Sequence, residues 1–123
     1  MANVLLRMIV RYEGSGLFRG SRSIVRVFEK PIQLPDPPKI DMRIKWNYES
    51  QFNDGDTDPN AKLPENWVFI FGVQKMIYNI TTDTYECIET SAENELSTFN
   101  RKCKYLEHVG FTEKKLEKGI WRD

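Results

Sequence analysis

Polar and apolar residues alternate along much of this chain, in blocks too short for a helix-rich protein. Over residues 3–13, Val4, Leu6, Met8, Val10 and Tyr12 fall on one side of an extended backbone, and Leu5, Arg7, Ile9 and Arg11 on the other. A period of two predicts a strand. One face belongs to a core, and the other, half apolar with two arginines, is partly covered. Residues 24–29 resume the pattern. Residues 40–48 carry the cleanest alternation: Ile40, Met42, Ile44, Trp46 and Tyr48 against Asp41, Arg43, Lys45 and Asn47. That predicts an antiparallel strand with a solvated outer face. Residues 67–71 and 73–80 are apolar and aromatic, separated by Gly72, which signals a bulge, a bend or a turn. Residues 81–84 read as a turn and 85–89 as a returning strand.

The period then changes. Leu96, Phe99, Cys103 and Leu106 recur at three and four residues, an apolar stripe that predicts one long helix lying on the sheet. Thr90 and Glu93 have the spacing of a capping box, with Ser91 as an alternative cap. Gly110 supplies a left-handed stop, and Phe111 beyond it is placed to fold back on Leu106. Thr112 reads as the cap of a second short helix reaching Lys118 and ended by Gly119. Residues 30–38 hold four prolines, which predicts an extended segment outside any central ladder. Residues 13–23 (EGSGLFRGSRS) and 49–66 read as loops. The fold class is therefore α+β: a single domain over 1–123, an antiparallel sheet of five or six strands with a C-terminal helix packed on one face. The open second face is the natural place for a partner or a second copy of the chain.

Composition narrows the functional classes. Lys+Arg and Asp+Glu both number 18, so no global field draws the molecule to nucleic acid or an anionic membrane. The charges are uneven: residues 1–50 carry nine basic and five acidic groups, the remainder nine and thirteen. A basic face can arise from that asymmetry, unless folding interleaves the halves. The longest apolar run, residues 67–71, is too short to span a bilayer. The N-terminus lacks the basic and apolar regions of a signal peptide, so the expected location is intracellular (cytoplasmic), with Cys87 and Cys103 as buried free thiols.

Two loops hold candidate ligand-binding chemistry. In 14–22, glycines let backbone N–H groups approach an anion, Arg19, Arg22 and nearby Arg26 can fork onto phosphate, and Phe18 can stack a base. The spacing matches neither a Walker loop nor a dinucleotide fingerprint; the plain alternative is a solubilised hairpin tip. In 54–65, Asp54, Asp56 and Asp58, with Glu65 to close the cage, resemble in spacing a calcium loop. Pro59 occupies the position such a loop gives to glycine, and neither flank is helical, so a solvated acidic turn is the plainer reading. Calcium is the one candidate cofactor.

Catalytic chemistry is sparse. Cys87, Cys103 and His108, the only histidine, match no strong zinc spacing, and Cys103 lies on the apolar stripe. No nucleophile elbow is present, and Glu86 and Glu89 read as exposed strand acids. Trp67, Phe69 and Phe71 share a face that is core if the helix covers it and a protein-binding surface if not. The preferred reading is a small non-catalytic binding or accessory protein, acting through a sheet face or the arginine loop. Its partner is another protein, a second copy of itself, or an anionic ligand such as a nucleotide or nucleic acid, the last adding Arg7, Arg11, Arg43 and Lys45; a membrane is not expected. The alternatives are a small enzyme without a recognisable motif and a calcium-binding module.

Overall fold

The computed structural model describes residues 1–13, 23–48 and 67–115. Among the described residues, seven strands and one helix follow in order: β1 (Ala2–Glu13), β2 (Ser23–Leu34), β3 (Arg43–Tyr48), β4 (Trp67–Gly72), β5 (Lys75–Asn79), β6 (Thr84–Glu93), α1 (Leu96–His108) and β7 (Thr112–Lys114). Five of the strands form one sheet in the order β5-β6-β1-β2-β7, while β3 and β4 form a separate hairpin. The class is α+β, as the pattern predicts, but the large sheet is mixed. β1 pairs antiparallel with β2 and parallel with β6, Asn3 opposite Thr84 through Tyr12 opposite Glu93. Alternation reports which face a residue takes and carries no information on the direction of its neighbour.

Alternate residues of β1 do divide as expected. Val4, Leu6, Met8 and Val10 join Phe28 of β2 and Cys87 of β6 in the main core. The helix contributes Phe99, Cys103 and Leu106, and the hairpin Ile44, Phe69 and Phe71. Rings lock the layers together: Phe69 lies 5.5 Å from Tyr105 and 5.7 Å from Phe111, and Tyr12 lies 6.0 Å from Phe99. Phe69 and Phe71 are thus core rather than an open aromatic surface; the Trp67 side chain is outside the described residues. Such close-packed aromatic burial stabilises by several kcal/mol per ring, about 3–5 kcal/mol by truncation.

Several local expectations are corrected. The strand predicted from residue 40 begins at Arg43. Asp41 takes a left-handed φ of 69°, which breaks the alternation, and the segment instead exchanges backbone bonds with Val73 (Asp41 N–H to Val73 O, 2.8 Å; Val73 N–H to Met42 O, 2.9 Å). Ile40 and Met42 are consequently exposed. Residues 30–34, predicted as part of an extended segment outside any central ladder, continue β2, with Pro31 opposite Leu5. β7 covers only Val27 to Glu29, so among the described residues β2 is an outer strand at Pro31, where a missing N–H is tolerated. Thr90 and Glu93 do not cap the helix: they continue β6, held by the ladder to β1, and α1 starts after Glu95 without a side-chain cap. Thr112 opens β7, an edge strand on β2, rather than a second helix.

The helix C-terminus follows the sequence closely. Gly110 has φ 95°, its N–H donates to Glu107 O at 3.1 Å, and the Phe111 N–H donates to Leu106 O at 3.0 Å. These are the paired bonds of a Schellman end. The Lys30 ammonium donates to Val109 O at 2.8 Å, satisfying a further carbonyl at that end. Gly72 marks where the chain leaves the hairpin for the large sheet.

Candidate functional site

The face of the large sheet turned away from the helix is built by the other half of each alternation. The register places Glu29 beside Arg7, and Arg7 reaches Glu86 on the far side. Arg7 is buried and grips Glu29 Oε2 with Nε and Nη2, both at 2.8 Å, and Glu86 Oε1 with Nη1 at 3.0 Å. Asn79 of β5 donates to Glu86 Oε2 at 3.2 Å. A polar row therefore crosses four strands, with the arginine charge offset by two carboxylates. Ile9, Val27 and Ile88 form a small apolar cluster on the same face. Beside the row lies a depression of ≈ 790 Å³, lined by Asn3, Leu5, Pro31, Gln33, Thr84 and Glu86 among others. Its amides and hydroxyls suit uncharged hydrogen-bonding groups better than a phosphate.

The two edges of this sheet differ in chemistry. β7 is three residues long, Thr112-Glu113-Lys114, polar and exposed throughout. β5 is five residues long, and at its edge Ile77 is 54 % exposed, Tyr78 46 % and Ile80, just beyond, 81 %. Natural sheets blunt their edges with short strands and charges. β7 follows that rule, whereas β5 has only Lys75. The turn that follows β5 is tightly made: Asn79 Oδ1 accepts from the Thr81 N–H at 3.0 Å, and the Tyr78 hydroxyl donates to Asp83 Oδ1 at 2.6 Å. That bond holds the Tyr78 proton and raises its pKa. Tyr78 also rests on Tyr85, ring centroids 4.8 Å apart. At the other end, the Gln74 side chain accepts from the Thr90 N–H at 2.9 Å, standing in for a strand residue.

A second depression, ≈ 490 Å³, lies where the hairpin meets the sheet and is lined by Asp41, Arg43, Gly72, Gln74 and Glu89 among others. Glu89 is partly buried, one oxygen bonded by the Gly72 N–H and the other, Oε1, buried without a partner. Burial raises its carboxyl pKa against the opposing pull of the Gly72 N–H, Lys102 and Arg43. Glu89 is thus a group able to hold a proton, a property that its strand position did not signal.

Of Phe18, Arg19, Arg22 and Arg26 only Arg26 is described; the other three lie outside the described residues, as do Asp54, Asp56, Asp58 and Glu65 of the calcium reading. Of the further basic groups, Arg7 is held by Glu29 and Glu86, while Arg43 and Lys45 are exposed. Arg26 forks onto Glu113, Nε to Oε2 at 2.8 Å and Nη2 to Oε1 at 2.6 Å, with Glu107 at 3.7 Å and the Phe28 ring 5.2 Å beneath. The pair raises the Arg26 pKa and lowers that of Glu113. An anion at Arg26 has to compete with that carboxylate. Cys87 and Cys103 are buried free thiols, each pushed up to about 11 by burial, which suits packing and not nucleophilic attack. His108 is exposed, away from Cys103's buried setting. Among the described residues no group of three His, Cys, Asp or Glu is placed to hold a metal, and no helix is long and apolar enough to cross a membrane.

No protein-family model matches the chain, and no curated protein or solved structure matches it significantly.

Proposed function

We propose that this chain is a non-catalytic intracellular binding protein whose target is a protein strand, from another protein or from a second copy of itself, engaged through the β5 edge of the sheet. The observation that carries this reading is the contrast between the two edges: β7 is short and charged, and β5 exposes Ile77, Tyr78 and Ile80 along an edge that pairs with no other described strand. An exposed edge recruits a partner strand through main-chain hydrogen bonds, with alternate side chains adding specificity. The anionic-ligand reading has less support. Arg7, Arg26, Lys30 and Lys102 each already contact a protein acceptor. The intracellular assignment accords with two buried, reduced cysteines.

The test is capture from an extract of the source cells, with the native protein and its Ile77→Lys variant run side by side and washed at low and high salt. The expected result is a protein partner that survives the high-salt wash on the native chain and is lost from the variant. Nucleic acid or nucleotide retained at low salt and shed at high salt would support the anionic reading instead. Identical capture by both chains, together with no self-association that Ile77→Lys weakens, would sink the edge reading.

A further inference from the structure

Resting on the reading of β5 as the binding edge, we infer that its occupant is a second copy of this chain, joined β5 to β5 in antiparallel fashion about a two-fold axis at Ile77. Two five-stranded sheets then become one sheet of ten strands.

The strand is suited to pairing with itself. Residues paired across a continuous sheet share a face, so a two-fold axis perpendicular to the sheet passes through a residue and never between two. In a strand of five, the axis that pairs every residue passes through Ile77, the central one. Ile77 then meets its own copy, apolar against apolar, on the face that carries the polar row. Met76 lies opposite Tyr78 of the partner subunit on the other face, a favourable sulfur–aromatic combination. Lys75, the one charge in the strand, lies opposite Asn79 of the partner subunit and never opposite itself. Asn79 in turn holds the Glu86 carboxylate, so the ammonium approaches the acidic end of the partner's polar row. The strand thus avoids the like-charge opposition that destabilises cross-strand pairs. Five paired residues per subunit make a small contact by the standard of permanent assemblies, and the dimer is accordingly reversible and dependent on concentration.

Sedimentation or light scattering over a dilution series of the full chain tests this. The expected result is a monomer–dimer equilibrium that Ile77→Lys weakens at least about tenfold, because it opposes two like charges at the axis. Ile70→Lys, an exposed position on the outer side of β4, leaves the equilibrium unchanged, and circular dichroism verifies that both variants fold. Ile77→Cys gives an independent readout. Its two copies would have Cα atoms about 4.5–5.5 Å apart, within disulfide range, so mild oxidation yields a covalent dimer, while the buried native thiols stay unreacted. A monomer at every concentration overturns the inference, as does a dimer that Ile77→Lys leaves intact and Ile77→Cys does not link. Failure of the edge reading itself would look different, since Ile77→Lys would then alter neither self-association nor the capture of any other protein.

Discussion

At Gly110 the backbone adopts φ 95°, and a Cβ added there would lie 2.5 Å from the Lys30 ammonium that bonds the Val109 carbonyl just past the helix end. Gly110→Ala therefore meets two penalties, a left-handed L-residue and a displaced Lys30, and is expected to cost about 1–2 kcal/mol in urea unfolding. An unchanged midpoint would mean that the helix end relaxes freely. Glu89 is expected to act in the opposite direction. Its folded pKa lies above the ordinary value, so the stability linked to its protonation is complete below the unfolded pKa and is lost as pH rises through the folded one. At neutral pH the ionised group sits partly desolvated. Glu89→Gln is expected to raise stability there by up to about 1 kcal/mol, after allowance for the solvent that still reaches it, and to do so less at low pH. A variant less stable than native at neutral pH would show that the charge is needed, for Arg43 or for a ligand. Neither property of Glu89 was legible in the sequence. A Glu in an alternating strand reads as solvated, and only the return of Gly72 from the hairpin closes over it.

At the scale of elements, the polar row ties β5, β6, β1 and β2 together through Arg7. Arg7→Met removes a buried cation and leaves Glu29 and Glu86 facing one another across β1. The expected loss is about 3–5 kcal/mol. Adding Glu29→Gln and Glu86→Gln to that variant is expected to restore part of it, measured in the same denaturant titrations. If the triple variant were weaker still, the carboxylates would owe their place to something other than Arg7. The buried faces of β1 and β3 could be read from alternation alone: Val4, Leu6, Met8 and Val10 inward, Ile44 and Trp46 inward, Arg43 and Lys45 outward. The end of α1 was equally legible, because a Schellman turn needs only Gly110 and the apolar residue after it. The start was not. Thr90-x-x-Glu93 satisfies a local capping pattern, yet those residues extend β6, since β1 offers them a continuous ladder. A local bond of about 1 kcal/mol yields to that tertiary pairing. Strand order and the parallel β1–β6 pair were beyond reach for the same reason: they depend on residues far apart in the chain.

Over the whole molecule, stability is bounded by titrations on both sides of neutrality. Arg26 lowers the Glu113 pKa, so the stability from this pair is present above the ordinary carboxyl value and fades as pH falls through the lowered one. Cys87 and Cys103 set the opposite limit. Their pKa values rise from 9.0 to about 11, so the unfolded chain releases protons that the folded chain keeps, and stability declines as pH climbs between those values. Unfolding measured across that window is expected to show a fall that shrinks when both cysteines are replaced by alanine. A fall of the same size in the double variant would assign the alkaline loss to other groups. The parallel β1–β6 ladder also has a consequence in time. The two strands meet as Asn3 with Thr84 and Tyr12 with Glu93, so the centre of the sheet closes only after most of the chain exists. Non-local pairing of this kind makes folding slow. During synthesis the β1–β2 hairpin can form early, with one side of β1 still waiting for β6, and that interval exposes the chain to wrong partners. Its cellular yield should therefore respond to synthesis rate and chaperone supply more than its final stability suggests.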